Sequence, residues 1–272
     1  MHRFGALIGI AAALSSTAAR GEEQHPSPLE FQPKIDAPIL SIAAAAWITG
    51  EAVQPLVISS PPCDPCFAGT LDALDRGLAG RRNSAADFVS WATLGLALAA
   101  PLIADGVDVE KNGGGWAAWG GDVGLLAEAL VLDVAFNQGV KLVTRRPRPF
   151  VYGLAPNDPA FSSSESFVSF FSEHASLSFA AAAFYTTLFA LRHPRRRGWI
   201  AAVGVAAFGL AAVTAALRVE AGKHFYTDVL AGAAFGTIIG AAIPLLHRRH
   251  ARLPISLAPL RDGVMVSMVF VR

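Results

Sequence analysis

The sequence predicts an all-α membrane protein, a polytopic helical bundle of about five to six spans. Of its 272 residues, 53% are hydrophobic and only 16% are charged, and the mean hydropathy is +0.44. Soluble domains carry about 25% charged residues, so this is the composition of a membrane protein. The apolar residues are also gathered into six stretches with polar or basic segments between them. A formal net charge of +1 excludes a globally basic protein that binds nucleic acid.

The N-terminus, residues 1–20, has the pattern of an export signal. His2 and Arg3 precede an apolar run at 4–14, and small residues follow at 15–19. The run is shorter than the roughly 20 residues that cross a bilayer. We therefore expect a signal peptide, and an uncleaved N-terminal helix is the alternative.

The six apolar stretches define a membrane domain at residues 38–250. The first is interrupted by Glu51 and Pro55, so its crossing is the one in doubt. The other five are long enough to span a bilayer as helices, although the third carries Glu128 and Asp133 inside it. The stretches lie at residues 38–58, 88–104, 123–140, 175–191, 199–217 and 229–246.

The C-terminal tail, residues 253–272, has a different pattern. Two short apolar runs, 255–260 and 264–271, flank the dipeptide Asp262-Gly263. Such a dipeptide between two apolar runs is a strong signal for a β-hairpin. We expect a small hairpin here and assign no function to it.

Basic residues predict which loops face the cytoplasm. Arginines cluster after the fourth stretch and again after the sixth, and cytoplasmic loops are enriched in such residues. The loops after the third and fifth stretches must then lie on the opposite side. This indicates a multi-pass protein of a bacterial-type inner membrane whose other loops face the periplasm. The arginines are Arg192, Arg195, Arg196, Arg197, Arg248, Arg249 and Arg252.

Three short clusters on the predicted periplasmic side carry the candidate chemistry. They contain Lys141 and Arg148, then Ser172 and His174, then Arg218, His224 and Asp228. Fixed cations beside apolar spans are costly unless they have a function. Arginine grips phosphate oxygens through two donors and lysine adds a compact charge, so a phosphate group is the expected ligand.

The histidines suggest how such a phosphate could react. Ser172 precedes a long apolar helix as its N-cap, where backbone N–H groups favour an anion, although capping alone explains it. His174 is then placed to protonate a leaving oxygen. His224 and Asp228 are four residues apart and share one helical face. Asp228 could accept from one imidazole nitrogen and leave the other as a nucleophile.

Metal binding by the histidines and redox chemistry of the two cysteines are the competing kinds of site. The cations around the histidines would repel a divalent metal, so we expect a reaction without a metal or other cofactor. Cys63 and Cys66 are candidates for a local disulfide if their loop is periplasmic. A redox role is the alternative, but the pair lacks the βαβ context of thioredoxin-like motifs.

The three clusters together resemble the signature of the type-2 phosphatidic acid phosphatase superfamily. The pattern is Lys-x6-Arg-Pro from Lys141, Ser-x-His from Ser172, and Arg-x5-His-x3-Asp from Arg218. That superfamily includes lipid phosphate phosphatases, bacterial acid phosphatases and vanadium haloperoxidases. The resemblance runs from Lys141 to Asp228, and the joint order and spacing are highly specific.

The resemblance implies a two-step, metal-independent phosphoryl transfer. His224 would attack phosphorus and form a phosphohistidine, with Asp228 supporting it. His174 would protonate the departing alcohol and then activate water. The phosphoryl oxygens would be held by a set of four residues, Lys141, Arg148, Ser172 and Arg218.

The second motif departs from the family pattern, which usually reads Pro-Ser-Gly-His. Here Glu173 replaces the glycine, so a carboxylate stands beside the expected anion site. The leading hypothesis is a membrane phosphatase for a lipid phosphate or pyrophosphate, with reduced activity or an altered substrate as the expected effect of Glu173. The second hypothesis is a non-catalytic protein that binds lipid phosphates. A haloperoxidase is a third and weaker one because those enzymes are generally soluble. Phosphatidic acid, phosphatidylglycerol phosphate, undecaprenyl pyrophosphate and lipid A-type phosphates all fit as substrates, and the oligomeric state stays open.

Overall fold

The computed structural model describes residues 27–63, 65–155, 158–249, 255–260 and 263–268. The described residues form an all-α bundle of six long helices, and each is long and apolar enough to cross a membrane. This confirms the predicted fold class. The export signal predicted at 1–20 lies outside the described residues. The helices are α1 Pro33–Val57, α2 Ser84–Lys111, α3 Trp116–Thr144, α4 Glu173–Arg192, α5 Arg197–Glu220 and α6 Tyr226–Leu246.

The doubtful first stretch forms a complete helix of 25 residues, α1. Pro33 begins it, at a position where the missing N–H would have no intrahelical partner. Pro38 and Pro55 lie inside α1, but each is within about two turns of an end. They therefore interrupt few of its hydrogen bonds, and the helix continues past them.

Polar pairs between helix ends show that the bundle has two distinct ends. At one end, Lys141 in the last turn of α3 pairs with Glu173 in the first turn of α4. At the other end, Arg192 in the last turn of α4 pairs with Asp105 on α2 and with Asp122 on α3. We call the first the reactive end and the second the opposite end. Arg195 and Arg196 lie between α4 and α5, Arg197 begins α5, and all three belong to the opposite end.

Helix α4 is the centre of the bundle, and α6 lies directly against its backbone. Gly232, Gly236 and Gly240 form the face of α6 that makes this approach. A Cβ atom at Gly236 would stand 2.0 Å from the carbonyl oxygen of Ser176, and one at Gly240 would stand 2.1 Å from that of Ala180. Small residues at four-residue spacing thus let two helices touch along their backbones. The contact fixes the start of α6 beside the start of α4.

Short 3-10 turns connect the long helices at the reactive end. The segment between α3 and α4 contains three of them, at Pro149–Gly153, Pro159–Ser162 and Ser164–Phe167. Its apolar side chains, including Val151, Phe161 and Phe167, pack together with Ile58 and Cys66. The sulfur atoms of Cys63 and Cys66 are bonded to each other in this layer.

The C-terminal tail contains two antiparallel strands, β1 Ile255–Leu260 and β2 Gly263–Met268. Leu260 pairs with Gly263 at the closed end. The turn predicted at Asp262-Gly263 includes Asp262, which lies outside the described residues, so the hairpin stays a prediction.

We expect Gly236→Ala to destabilise the protein. Its new methyl group would overlap a backbone carbonyl that cannot rotate away, and overpacking costs about 1–3 kcal/mol or more. Thermal unfolding of the detergent-solubilised protein measures the effect. Gly209→Ala in α5 is the matched control because a Cβ there meets nothing within 4 Å. Equal unfolding temperatures for the two variants would contradict the tight contact between α4 and α6.

Candidate active site

The reactive end collects all the residues that the sequence singled out for phosphate chemistry. Each belongs to a different helix end or to the segment next to it, and each is at most 9% exposed. The fold therefore buries charged and polar side chains from four stretches of chain in one region. They are Lys141 on α3, Arg148 before the first 3-10 turn, Ser172 and His174 at the start of α4, Arg218 at the end of α5, His224 in the following loop, and Asp228 in the first turn of α6.

The imidazole of His224 is held by a backbone carbonyl. Its Nδ1 lies 2.7 Å from the carbonyl oxygen of Ser169. A carbonyl only accepts, so Nδ1 carries the proton and donates it to Ser169. In the neutral ring the lone pair is then on Nε2, the nitrogen that a nucleophile would use.

The sequence predicts that Asp228 accepts a hydrogen bond directly from His224. The structure does not show this bond. The distance from His224 Nδ1 to the nearer carboxylate oxygen, Oδ2, is 3.9 Å. That Oδ2 instead accepts from the hydroxyl of Ser169 at 2.5 Å and from the backbone N–H of Phe225 at 2.8 Å. Asp228 thus acts through Ser169, the residue that orients the imidazole. The spacing of four residues could not show that a third residue lies between them.

Arg146 is the counterion of the buried acids, and the sequence reasoning gave it no role. Its guanidinium donates to Asp228 and, at 2.8 Å, to Asp75. The side chains of both aspartates are 0% exposed. Thr227 also accepts from Arg146 at 2.7 Å. No spacing in the sequence relates Asp75 to the clusters, because the loop before α2 reaches them only through the fold.

The cationic phosphate-binding candidates, Lys141, Arg148 and Arg218, each have a carboxylate partner that is partly exposed to solvent. Lys141 pairs with Glu173 at 2.5 Å, and Arg148 approaches Glu165 at 3.4 Å. Arg218 donates to Asp87 at 2.6 Å. These carboxylates are partly open to solvent, since the side chains of Glu173, Asp87 and Glu165 are 25%, 27% and 65% exposed. They differ in this from the fully buried partners of Arg146.

Two buried nitrogen atoms at the reactive end have no hydrogen-bond partner among the described residues. They are Nε2 of His174 and Nε of Arg218. The ring of His174 lies edge-on to Trp91, with 4.3 Å between centroids. Buried polar atoms are nearly always paired, so two unpaired nitrogens together indicate the place of a polar ligand.

Ser172 caps α4 as predicted, with its Oγ accepting from the backbone N–H of Ala175 at 3.4 Å. The first backbone N–H groups of a helix have no intrahelical partner and favour an anion. The hydroxyl proton of Ser172 is still available to a phosphate oxygen, because the cap uses the oxygen only as an acceptor.

The buried arginines at the reactive end lower the pKa values of two neighbouring groups, His224 and Lys223. Burial first, and then the positive charges of Arg148 and Arg218, hold the pKa of His224 well below its ordinary value of 6.5. Burial, opposed by Asp87 and reinforced by Arg148 and Arg218, also lowers the pKa of Lys223. His224 is therefore neutral at pH 7, in a field that attracts an anion.

Two comparisons with known proteins found a similarity. Residues 122–252 match the family model described as the PAP2 superfamily, and the matched range includes every candidate residue from Lys141 to Asp228. Among solved structures, the chain is similar to one described as the first transmembrane PAP2 type phosphatidylglycerolphosphate phosphatase from Bacillus subtilis. The two are 21% identical, the match covers 82% of this chain and 99% of that chain, and the TM-score is 0.48. No curated protein matches the chain.

We expect Arg146→Gln to destabilise the protein strongly. Removing the guanidinium leaves two fully buried carboxylates without their cation, and such a loss costs about 3–5 kcal/mol. Thermal unfolding in detergent measures it. Arg145→Gln is the matched control, because the neighbouring Arg145 is exposed and its side chain donates only to the carbonyl of Leu142 among the described residues. If both variants unfold at the parent temperature, Arg146 is not the counterion that holds this end together.

Proposed function

Because residues 122–252 match the PAP2 superfamily model, we propose that this chain is a membrane phosphatase for a lipid phosphate or pyrophosphate. His224 is its nucleophile and a phosphohistidine is its intermediate. The observation that carries the proposal is the orientation of His224. Nδ1 donates to Ser169, so the lone pair lies on Nε2 and is available for attack. The positive charges of Arg148 and Arg218 act on the same ring and attract an anion to it.

The first step is the transfer of the phosphoryl group to His224. Nε2 attacks phosphorus, the bond from phosphorus to the lipid oxygen breaks, and His174 gives its proton to that oxygen. The imidazole of His224 becomes positively charged as the bond forms. Asp228 stabilises this charge through Ser169, in the way that a buried aspartate supports the histidine of a catalytic triad.

The second step releases phosphate. His174, now neutral, takes a proton from water, and the resulting hydroxide attacks the phosphohistidine. The bond between phosphorus and Nε2 breaks, and the lone pair returns to His224. Each proton that His174 gives in the first step is thus recovered in the second, and no step needs a metal ion.

The cations stabilise the charge on the transferring phosphoryl group. In this chemistry electrostatic stabilisation and positioning supply most of the rate enhancement. Lys141, Arg148 and Arg218 are held in the resting protein by partly exposed carboxylates. A phosphate dianion offers the same cations more oxygen acceptors, so it can displace the carboxylates while the cations stay in place.

The reactive end faces the periplasm in this proposal. The arginines that follow α4 and α6 lie at the opposite end, and such residues are enriched on the cytoplasmic side. With the site outside, a lipid phosphate of the outer leaflet of the inner membrane could enter between the helices. Trp91 lies against His174 and is 60% exposed, so α2 offers an apolar surface to a lipid chain beside the proton donor.

The substrate test is phosphate release from a panel of purified lipids in detergent. Phosphatidic acid, phosphatidylglycerol phosphate, undecaprenyl pyrophosphate and a lipid A-type phosphate cover the candidates. We expect the parent to release phosphate from at least one, vanadate to inhibit, and His224→Gln to lower the rate at least about 1,000-fold, because the triad-like nucleophile is lost. A short-chain substrate supplied outside intact spheroplasts tests the orientation.

Arg145→Gln is the control for the activity assay, since it changes an exposed side chain near the site. The folded parent must be verified by its thermal unfolding. Absence of release from the whole panel by such a protein, or a His224→Gln variant as active as the parent, would rule out the proposed phosphatase.

A second candidate function, a non-catalytic protein that binds lipid phosphates, is favoured by the pairing of Lys141 with Glu173. If Glu173 is a resting counterion that substrate displaces, Glu173→Gly should lower the KM several-fold and change kcat little. If Glu173 blocks the reaction, the same change should create activity that the parent lacks. Glu165→Gln, at a more exposed counterion, is the matched control. Kinetics of phosphate release with the parent and these two variants decide between the two functions.

A further inference from the structure

A cluster of three ionisable side chains lies at the opposite end of the bundle, away from His224. Asp36 is in the first turn of α1, Glu128 is on α3, and His247 directly follows α6. One ligand atom from each lies within 4.8 Å of those of the other two. None of the three has a part in the proposed phosphatase reaction. We refer to them as the α1–α3–α6 cluster.

Hydrogen bonds hold the side chains of this cluster in place. The backbone N–H of Gln32 donates to Oδ2 of Asp36 at 2.5 Å. Nδ1 of His247 lies 2.9 Å from the carbonyl oxygen of Ile243. The carbonyl oxygen of His247 in turn accepts from the N–H of Glu30 at 2.8 Å. Asp36 and His247 are therefore positioned by a second layer of contacts, as ligands in metal sites usually are.

The ligand atoms that face one another are all acceptors when the histidine is neutral. Nδ1 of His247 donates to Ile243, so the lone pair is on Nε2. Nε2 points at Oδ1 of Asp36, 3.2 Å away, and at Oε2 of Glu128, 3.9 Å away. Glu128 is 2% exposed, and its Oε2 has no hydrogen-bond partner among the described residues. A proton or a metal cation between these atoms would remove the repulsion among their lone pairs.

We propose that Asp36, Glu128 and His247 bind one divalent first-row transition-metal ion of the zinc class. The charges favour a metal over a proton. A single proton on His247 leaves one of two buried carboxylates uncompensated, whereas a divalent ion with a neutral imidazole balances both. Mixed nitrogen and carboxylate ligands suit zinc and its neighbours better than magnesium or calcium.

The geometry also suits a metal. Zinc lies about 2.0–2.2 Å from such ligands, so tetrahedral ligand atoms are about 3.4 Å apart. The separations of 3.2 and 3.9 Å on the two sides of Nε2 bracket this value. Water would complete the coordination. The ion would tie the start of α1 and the end of α6 to α3, so its role is to stabilise the fold.

Metal binding by the full-length protein, free of any affinity tag, tests the proposal. The purified protein is treated with chelator in detergent and then titrated with Co²⁺, whose visible absorption reports the ligand field. We expect one equivalent to bind, Zn²⁺ to displace it, and the unfolding temperature to rise with either metal. Elemental analysis after dialysis gives the stoichiometry.

The variants Glu128→Gln and His247→Ala should each weaken binding at least about tenfold, since losing even a supporting group costs 10–100-fold. Glu110→Gln, an exposed acid at the same end, is the matched control and should bind as the parent does. All three should keep the parent's phosphatase activity at temperatures where they stay folded, because the cluster is remote from His224.

A readout on the parent covers the case in which a variant does not fold. With Mn²⁺ bound, pulsed electron paramagnetic resonance should show coupling to the nitrogen of one histidine. A folded parent that retains no metal, a signal without that nitrogen, or a Glu128→Gln variant that binds like the parent would overturn the proposal. The site would then hold protons shared among the three side chains, and the phosphatase proposal would be unaffected.

Discussion

The reactive end depends on one fully buried carboxylate, that of Asp228, because the groups that satisfy it come from separate segments. Arg146 follows α3, Ser169 precedes α4, and Phe225 precedes α6. A buried charge without partners costs several kcal/mol. The folded protein therefore has to keep these three segments in contact with Asp228. The same contacts place the carbonyl of Ser169 against His224. Stability and the orientation of the His224 imidazole therefore have a common physical origin.

Much of this arrangement could be predicted from the sequence, because the constraint of the membrane is severe. Apolar stretches that cross the membrane must become helices. Each crossing carries the chain to the other side, so the loops alternate between the two sides. That was enough to bring Lys141, His174 and His224 to one end. The first stretch forms one helix despite its prolines, because a proline near the end of a helix removes few hydrogen bonds.

The partners of these residues could not be predicted in the same way. Ser169 orients His224 with its backbone carbonyl, and a carbonyl is present at every position of the chain. Asp75 reaches Arg146 only because the loop before α2 folds across the ends of α3 and α6. The pairing of His224 with Asp228 was expected from their spacing of four, but α6 begins at Tyr226, so His224 lies before the helix and the helical rule does not apply to the pair.

The two ends of the bundle bury opposite excesses of charge, and this difference follows from what each end has to hold. At the reactive end the buried cations have partly exposed carboxylates as partners, so an incoming anion can replace those partners without uncovering a buried charge. At the opposite end the carboxylates themselves are buried. Asp105 and Asp122 are satisfied by Arg192, but Glu128 pairs with no arginine or lysine among the described residues. The proposed metal ion would compensate this buried carboxylate, as the proposed phosphate would compensate the buried cations at the reactive end.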